Sequence, residues 1–113
     1  MSEKERFERF ISKIKETAGR ILPTGSRIVL FGSRARGDAR VDSDWDIHIL
    51  VPGEKRLSLT ESDDICWEFN KIGIFEIDEV IESFAFSTSE WSKRSFLPFY
   101  KNVEKDKIII FQN

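Results

Sequence analysis

The amino-acid sequence predicts an α/β (α+β) protein, a small mixed β-sheet with helices mainly on one face. Apolar residues recur at helical spacing in some stretches and at strand spacing in others, in an alternating order. Two capping signatures, Ser2 with Glu5 and Ser58 with Glu61, mark helix starts. Two β-branched runs, residues 27–31 and 44–51, each end at a glycine or a Pro-Gly pair. A chain of 113 residues can bury one core and has no room for a second folded unit, so residues 1–113 read as a single domain.

The elements follow in order. Phe7, Phe10, Ile11, Ile14, Ala18 and Ile21 fall on one face of a helix, which ends at Pro23-Thr24-Gly25. Residues 27–31 form a buried strand that stops at Gly32. A short helix begins at Ser33 and ends near Gly37, and residues 38–43 are a polar loop. In the next strand Trp45, Ile47, Ile49 and Val51 face the core, which leaves Asp44, Asp46, His48 and Leu50 on the opposite, open face. The helix after Ser58 turns Ile65, Phe69 and Ile72 inward and stops at Gly73. Residues 74–86 read as mostly strand. Ser87 through Glu90 opens a helix at Trp91, Pro98 interrupts or restarts it, and residues 108–111 form a final strand or an extended tail.

Composition narrows the function. Lys and Arg total 18 and Asp and Glu total 20, a net charge of −2, so no basic stripe suits a duplex and a template-directed polymerase is disfavoured. The single cysteine, Cys66, excludes an internal disulfide and reads as a small buried apolar residue. No secretory signal and no membrane-length apolar run appear, so the expected location is the cytoplasm and no membrane partner is expected.

Two local patterns carry chemistry. Gly32 lies between a buried strand and a helix, where the backbone can turn tightly and a ligand can approach. The helix starting at Ser33 aims free N–H groups at that spot, which suits a phosphate. Arg34 and Arg36 follow and are placed to neutralise a triphosphate, whereas Arg40 reads as surface charge. Asp44 and Asp46 occupy alternate strand positions, which sets both carboxylates on one face roughly 7 Å apart. Two like charges there repel unless a cation neutralises them, and Mg²⁺ takes one or two carboxylates together with substrate phosphates. His48 shares that face and reads as a hydrogen-bonded structural residue.

The run from Gly32 to Gly37 (Gly-Ser-Arg-Ala-Arg-Gly), followed by Ser43-Asp44-Trp45-Asp46, resembles the signature of nucleotidyltransferases of the DNA polymerase beta superfamily. It looks most like the minimal nucleotidyltransferase group. The resemblance implies a nucleotidyltransferase fold with an NTP substrate, expected to be ATP. Gly32 and Ser33 would hold the β- and γ-phosphates, and Asp44 and Asp46 would bind two Mg²⁺ ions. A nucleoside monophosphate, AMP from ATP, would pass to an acceptor hydroxyl with loss of pyrophosphate. The family pattern also has a third carboxylate on a neighbouring strand. In an unbroken strand Glu76, Asp78 and Glu82 share a face, and the choice stays open, with Asp78 and Glu82 as the leading catalytic candidates.

Two functions of different class follow. The first is an enzyme that transfers AMP to a partner protein such as a HEPN-domain toxin, with a tyrosine hydroxyl as the expected acceptor, in an antitoxin role. The second is a weak or inactive nucleotidyltransferase-like module that acts by docking on a partner, with Phe84, Phe86, Trp91, Phe96, Phe99 and Tyr100 as a candidate aromatic patch. Transfer to a small molecule is less favoured, because no acceptor domain accompanies the motif. A homo-oligomer is left open, since a dimer cleft could replace such a domain.

Overall fold

Helix α1 spans Glu3–Ile21 and starts at a capping box, with Ser2 and Glu5 bonded reciprocally. The computed structural model describes residues 1–113. The α1 stripe buries Phe10, Ile14 and Ala18 completely, and Phe7, Ile11 and Ile21 pack beside them. Strand β1 (Arg27–Phe31) runs into the single-turn helix α2 (Ser33–Arg36), and β2 is Trp45–Val51. Helix α3 (Leu59–Ile72) starts at the second capping box, on Ser58 and Glu61. Strand β3 (Ile81–Ser87), helices α4 (Thr88–Ser92) and α5 (Pro98–Asp106), and strand β4 (Ile108–Gln112) complete the chain. No helix is long and apolar enough to cross a membrane.

The four strands form one mixed sheet in the order β3-β2-β1-β4. β1 lies antiparallel to β2 and to β4, while β2 and β3 are parallel. A parallel pair needs a crossover, and α3 supplies it. The main core lies between the sheet and helices α1 and α3, where Trp45 stacks on Phe10 at 4.1 Å between ring centroids. β4 closes the other side: the Asn113 side-chain oxygen accepts from Gly25 N–H and Ser26 N–H, at 3.1 and 2.9 Å.

Two expectations are corrected. The face bearing Asp44, Asp46, His48 and Leu50 is not open along its length. Pro98 starts α5 afresh, and α4 and α5 cover that face with a second cluster of Val29, Phe31, Leu50, Trp91 and Val103. His48 and Leu50 lie beneath it, and only the end carrying Asp44 and Asp46 remains accessible.

The second correction concerns residues 74–86. Gly73–Ile77 is a π-helical turn that prolongs α3, Asp78 closes it in the left-handed region at φ 53°, and the strand begins only at Ile81. The β-branched residues there favour a strand, but packing overrides propensity. Arg9 and Lys13 of α1 hold the turn, donating to the Glu76 carbonyl at 3.0 Å and pairing with its carboxylate at 3.2 Å. Gly73 is required at the turn, because a Cβ would collide with the Glu79 carbonyl.

Candidate active site

The site grows out of strand register. The alternation of β2 buries Trp45, Ile47 and Ile49, so Asp44 and Asp46 point to the other side. The parallel register pairs Asp46 with Glu82 of β3. The antiparallel register pairs Phe31 with Asp46, which delivers Gly32 against the same carboxylate. One oxygen from each of Asp44, Asp46 and Glu82 lies within 4.8 Å of the others. Asp44 and Asp46 are half-buried and Glu82 is exposed, and the cluster sits on an open surface outside the clefts of the molecule.

The electrostatics are strained in a useful direction. Burial pushes the Asp46 carboxyl up to about 6, the charges of Glu82 and Asp44 push the same way, and Arg36 opposes them. A site that penalises its own negative charge gains when a cation arrives. The donors are all oxygens and one side is open to water, a set that fits a hard divalent ion such as Mg²⁺.

Gly32 adopts φ 74° and ψ −159°, a conformation closed to side chains, and a Cβ there would strike the Asp46 carboxylate. That absence of a side chain lets the turn and the acid lie against each other. Ser33 begins α2; the Ala35 and Arg36 N–H groups both donate to the Gly32 carbonyl at 3.0 Å, which leaves the N–H groups of Ser33 and Arg34 without a partner inside the helix. Arg36 lies on the surface, paired with Asp106 at 2.8 Å and Asp38 at 3.3 Å, close enough for its charge to act on Asp46.

Other expected residues lie elsewhere. Asp78 is exposed in the left-handed turn and borders a cleft of about 600 Å³ with Trp67, Asn70 and Val80, outside the carboxylate cluster. Glu76 is committed to Lys13. The break in the strand after the π-turn separates both from the face that carries Glu82. Arg34 is not aimed at solvent: its side chain is buried, and its guanidinium donates to the carbonyls of Ser43 and Val41. Arg40 lies exposed in the polar loop, where its N–H donates to the Ser43 hydroxyl at 2.8 Å.

His48 is fully buried among Trp91, Phe86 and Phe99, and neither ring nitrogen has a hydrogen-bond partner. Burial, aided by the charge of Arg27, lowers its pKa to about 3 against a smaller pull from Glu104, so the ring is neutral. Of the expected aromatic patch, Trp91 is buried, Phe84, Phe86, Phe99 and Tyr100 pack on the second core, and only Phe96 stands exposed.

One residue escaped the sequence reading. Glu79 accepts from the Trp45 indole N–H at 3.2 Å and pairs with Arg34 at 3.5 Å. Its signal was indirect: a buried tryptophan N–H and a buried arginine each require an acceptor.

A family model described as a nucleotidyltransferase domain matches residues 11–111. No curated protein sequence matches the chain. Among solved structures, the chain resembles a protein from Sulfolobus solfataricus named as a nucleotidyltransferase. The TM-score is 0.64 at 22% identity, covering 96% of this chain and 86% of that one. It also resembles a chain in a toxin–antitoxin structure with AMP-PNP, with TM-score 0.62, 20% identity, and coverage of 91% and 73%. A third likeness is to a chain in the complex of tri-AMPylated Shewanella oneidensis HEPN toxin with MNT antitoxin. Its TM-score is 0.59 at 16% identity, covering 94% and 72%.

Proposed function

The chain belongs to the nucleotidyltransferase domain family, and from that membership we propose that it transfers AMP from ATP to a hydroxyl on a partner protein. The observation that carries the reading is the meeting of Asp44, Asp46 and Glu82 beside the Gly32 turn. The Gly32–Ser33 backbone and the Ser33 hydroxyl take the β- and γ-phosphates, and the Arg36 guanidinium adds charge at the same end. Asp44, Asp46 and Glu82 would hold Mg²⁺. When bound, Mg²⁺ neutralises phosphate charge and lowers the pKa of an attacking hydroxyl.

The chain's own residues do the rest. They align the acceptor oxygen, the α-phosphorus and the pyrophosphate oxygen in one line. The acceptor oxygen forms a bond to the α-phosphorus as the bond to pyrophosphate breaks. The hydroxyl proton leaves to Glu82, the most exposed member of the cluster. A HEPN-type toxin is the acceptor class that the similar AMPylated complex suggests, and a tyrosine is the acceptor hydroxyl that the family resemblance implies.

Titration calorimetry of ATP with Mg²⁺ tests the reading, in the wild type and in Asp44→Asn/Asp46→Asn. Mg²⁺-dependent binding that disappears in the folded variant supports it. Equal binding by both proteins removes the carboxylates from the mechanism. No binding by either favours the second reading, a docking module without transfer. For that alternative, the exposed side chains of Trp67, Ile74, Phe75 and Val80 around the cleft beside β3 offer an apolar surface.

A further inference from the structure

We propose that Arg34 and Glu79 form a clamp on the core side of the sheet that positions the three carboxylates. Arg34 then acts as a positioning residue and not as a phosphate ligand. The inference rests on the metal-dependent reading above.

Three acids held within 4.8 Å repel one another, so the segments that carry them must be restrained. Each of those segments leads back to the Arg34–Glu79 pair. Arg34 Nη2 donates to the Ser43 carbonyl at 2.9 Å, one residue before Asp44, and to the Val41 carbonyl at 3.2 Å. Its Nε also donates to Ser43, at 3.3 Å. The guanidinium lies 4.5 Å from the centroid of Trp45, the residue between Asp44 and Asp46. Glu79 grips the same ring from its edge through the indole N–H. Glu79 lies three positions before Glu82, and the adjoining Val80 carbonyl accepts from Trp45 N–H at 2.9 Å.

One ion pair thus fixes the approach of β2 and the start of β3 at once. Arg6 and Glu3 at the start of α1 extend it, with Arg6 3.7 Å from Glu79 and Glu3 3.8 Å from Arg34. Burying a charged pair costs desolvation, so its value lies in fixing geometry more than in raw stability. A planar fork reaching two carbonyls and a carboxylate is also something lysine cannot reproduce.

The test is Mn²⁺ binding followed by electron paramagnetic resonance, together with metal-free ATP binding and thermal melts. It uses the wild type, Arg34→Lys and Glu79→Gln. Arg34→Met/Glu79→Leu is added because a matched apolar pair often keeps a fold that a broken ion pair loses. Removing outer contacts of metal ligands commonly weakens binding about tenfold or more, and that loss is expected in every folded variant. Metal-free ATP affinity should stay within about twofold, the precision expected for side chains that touch no ligand.

Unchanged Mn²⁺ affinity in a cooperatively melting variant overturns the clamp. A selective loss of ATP affinity in Arg34→Lys also overturns it, and returns Arg34 to the phosphates. A wild type that takes up no Mn²⁺ overturns the functional reading and the clamp with it, an outcome distinct from both others.

Discussion

Asp46 and His48 stand two positions apart on β2 and respond to acid in opposite senses. The Asp46 carboxyl, at about 6 in the fold against an ordinary 3.8, binds its proton more readily folded than unfolded. Its contribution to stability is complete below 3.8 and is lost as pH rises through about 6. His48, lowered from 6.5 to about 3, contributes fully above 6.5, and that contribution is lost as pH falls towards 3. Asp46→Asn should therefore stabilise the metal-free protein by about 1 kcal/mol near neutral pH, after discounting for solvent screening, and much less in acid. His48→Leu, which removes two unpartnered ring nitrogens, should flatten the loss of stability between about pH 6.5 and about pH 4. Urea unfolding across that range checks both. An unaltered slope in His48→Leu would show that the ring is not buried neutral.

At the scale of elements, two glycines in helical backbone make opposite predictions. Gly19 lies exposed in α1 with nothing near an added Cβ, so Gly19→Ala should raise stability by about 0.5–1 kcal/mol. Gly73 abuts the Glu79 carbonyl, so Gly73→Ala should cost about 1–3 kcal/mol and displace the start of β3. Paired thermal melts decide, and equal shifts would contradict the packing described at the π-turn. α5 is tied down through Glu104, which accepts from Arg27 of β1 at 3.0 Å, the Trp91 indole of α4 at 3.2 Å and Lys107 at 2.9 Å. Burial alone would raise the Glu104 carboxyl, but hydrogen bonds from Lys107, Arg27 and Trp91 outweigh it and hold the group at about 2. The stability from that shift is complete above 4.5 and is lost as pH falls towards 2. Glu104→Gln should cost about 1 kcal/mol at neutral pH, and the difference from wild type should shrink towards the acid limit in chemical denaturation.

Across the whole molecule, local patterns were legible in the sequence and long-range ones were not. Both capping boxes follow from a serine and a glutamate three residues apart, the bounds of β1 from an apolar run that stops at Gly32, and the facing of Asp44 and Asp46 from a period of 2, all of which any short window displays. Glu82 was readable only as one of several acids, because its nearness to Asp46 depends on the parallel register of β3 on β2, a strand that begins only at Ile81, after the π-turn. The buried fates of Arg34 and His48 likewise depend on partners from distant elements. β4 shows what such distance does in time. Asn113 bonds to Gly25 and Ser26 across 88 and 87 residues, and β4 completes the sheet beside β1. At typical synthesis rates β1 waits roughly 4–16 s on the ribosome before its second neighbour exists. Contacts of such separation also slow the final closure. The nascent chain therefore carries an open strand edge beside the Gly32 turn throughout that interval, and pairing that edge comes late in the birth of the protein.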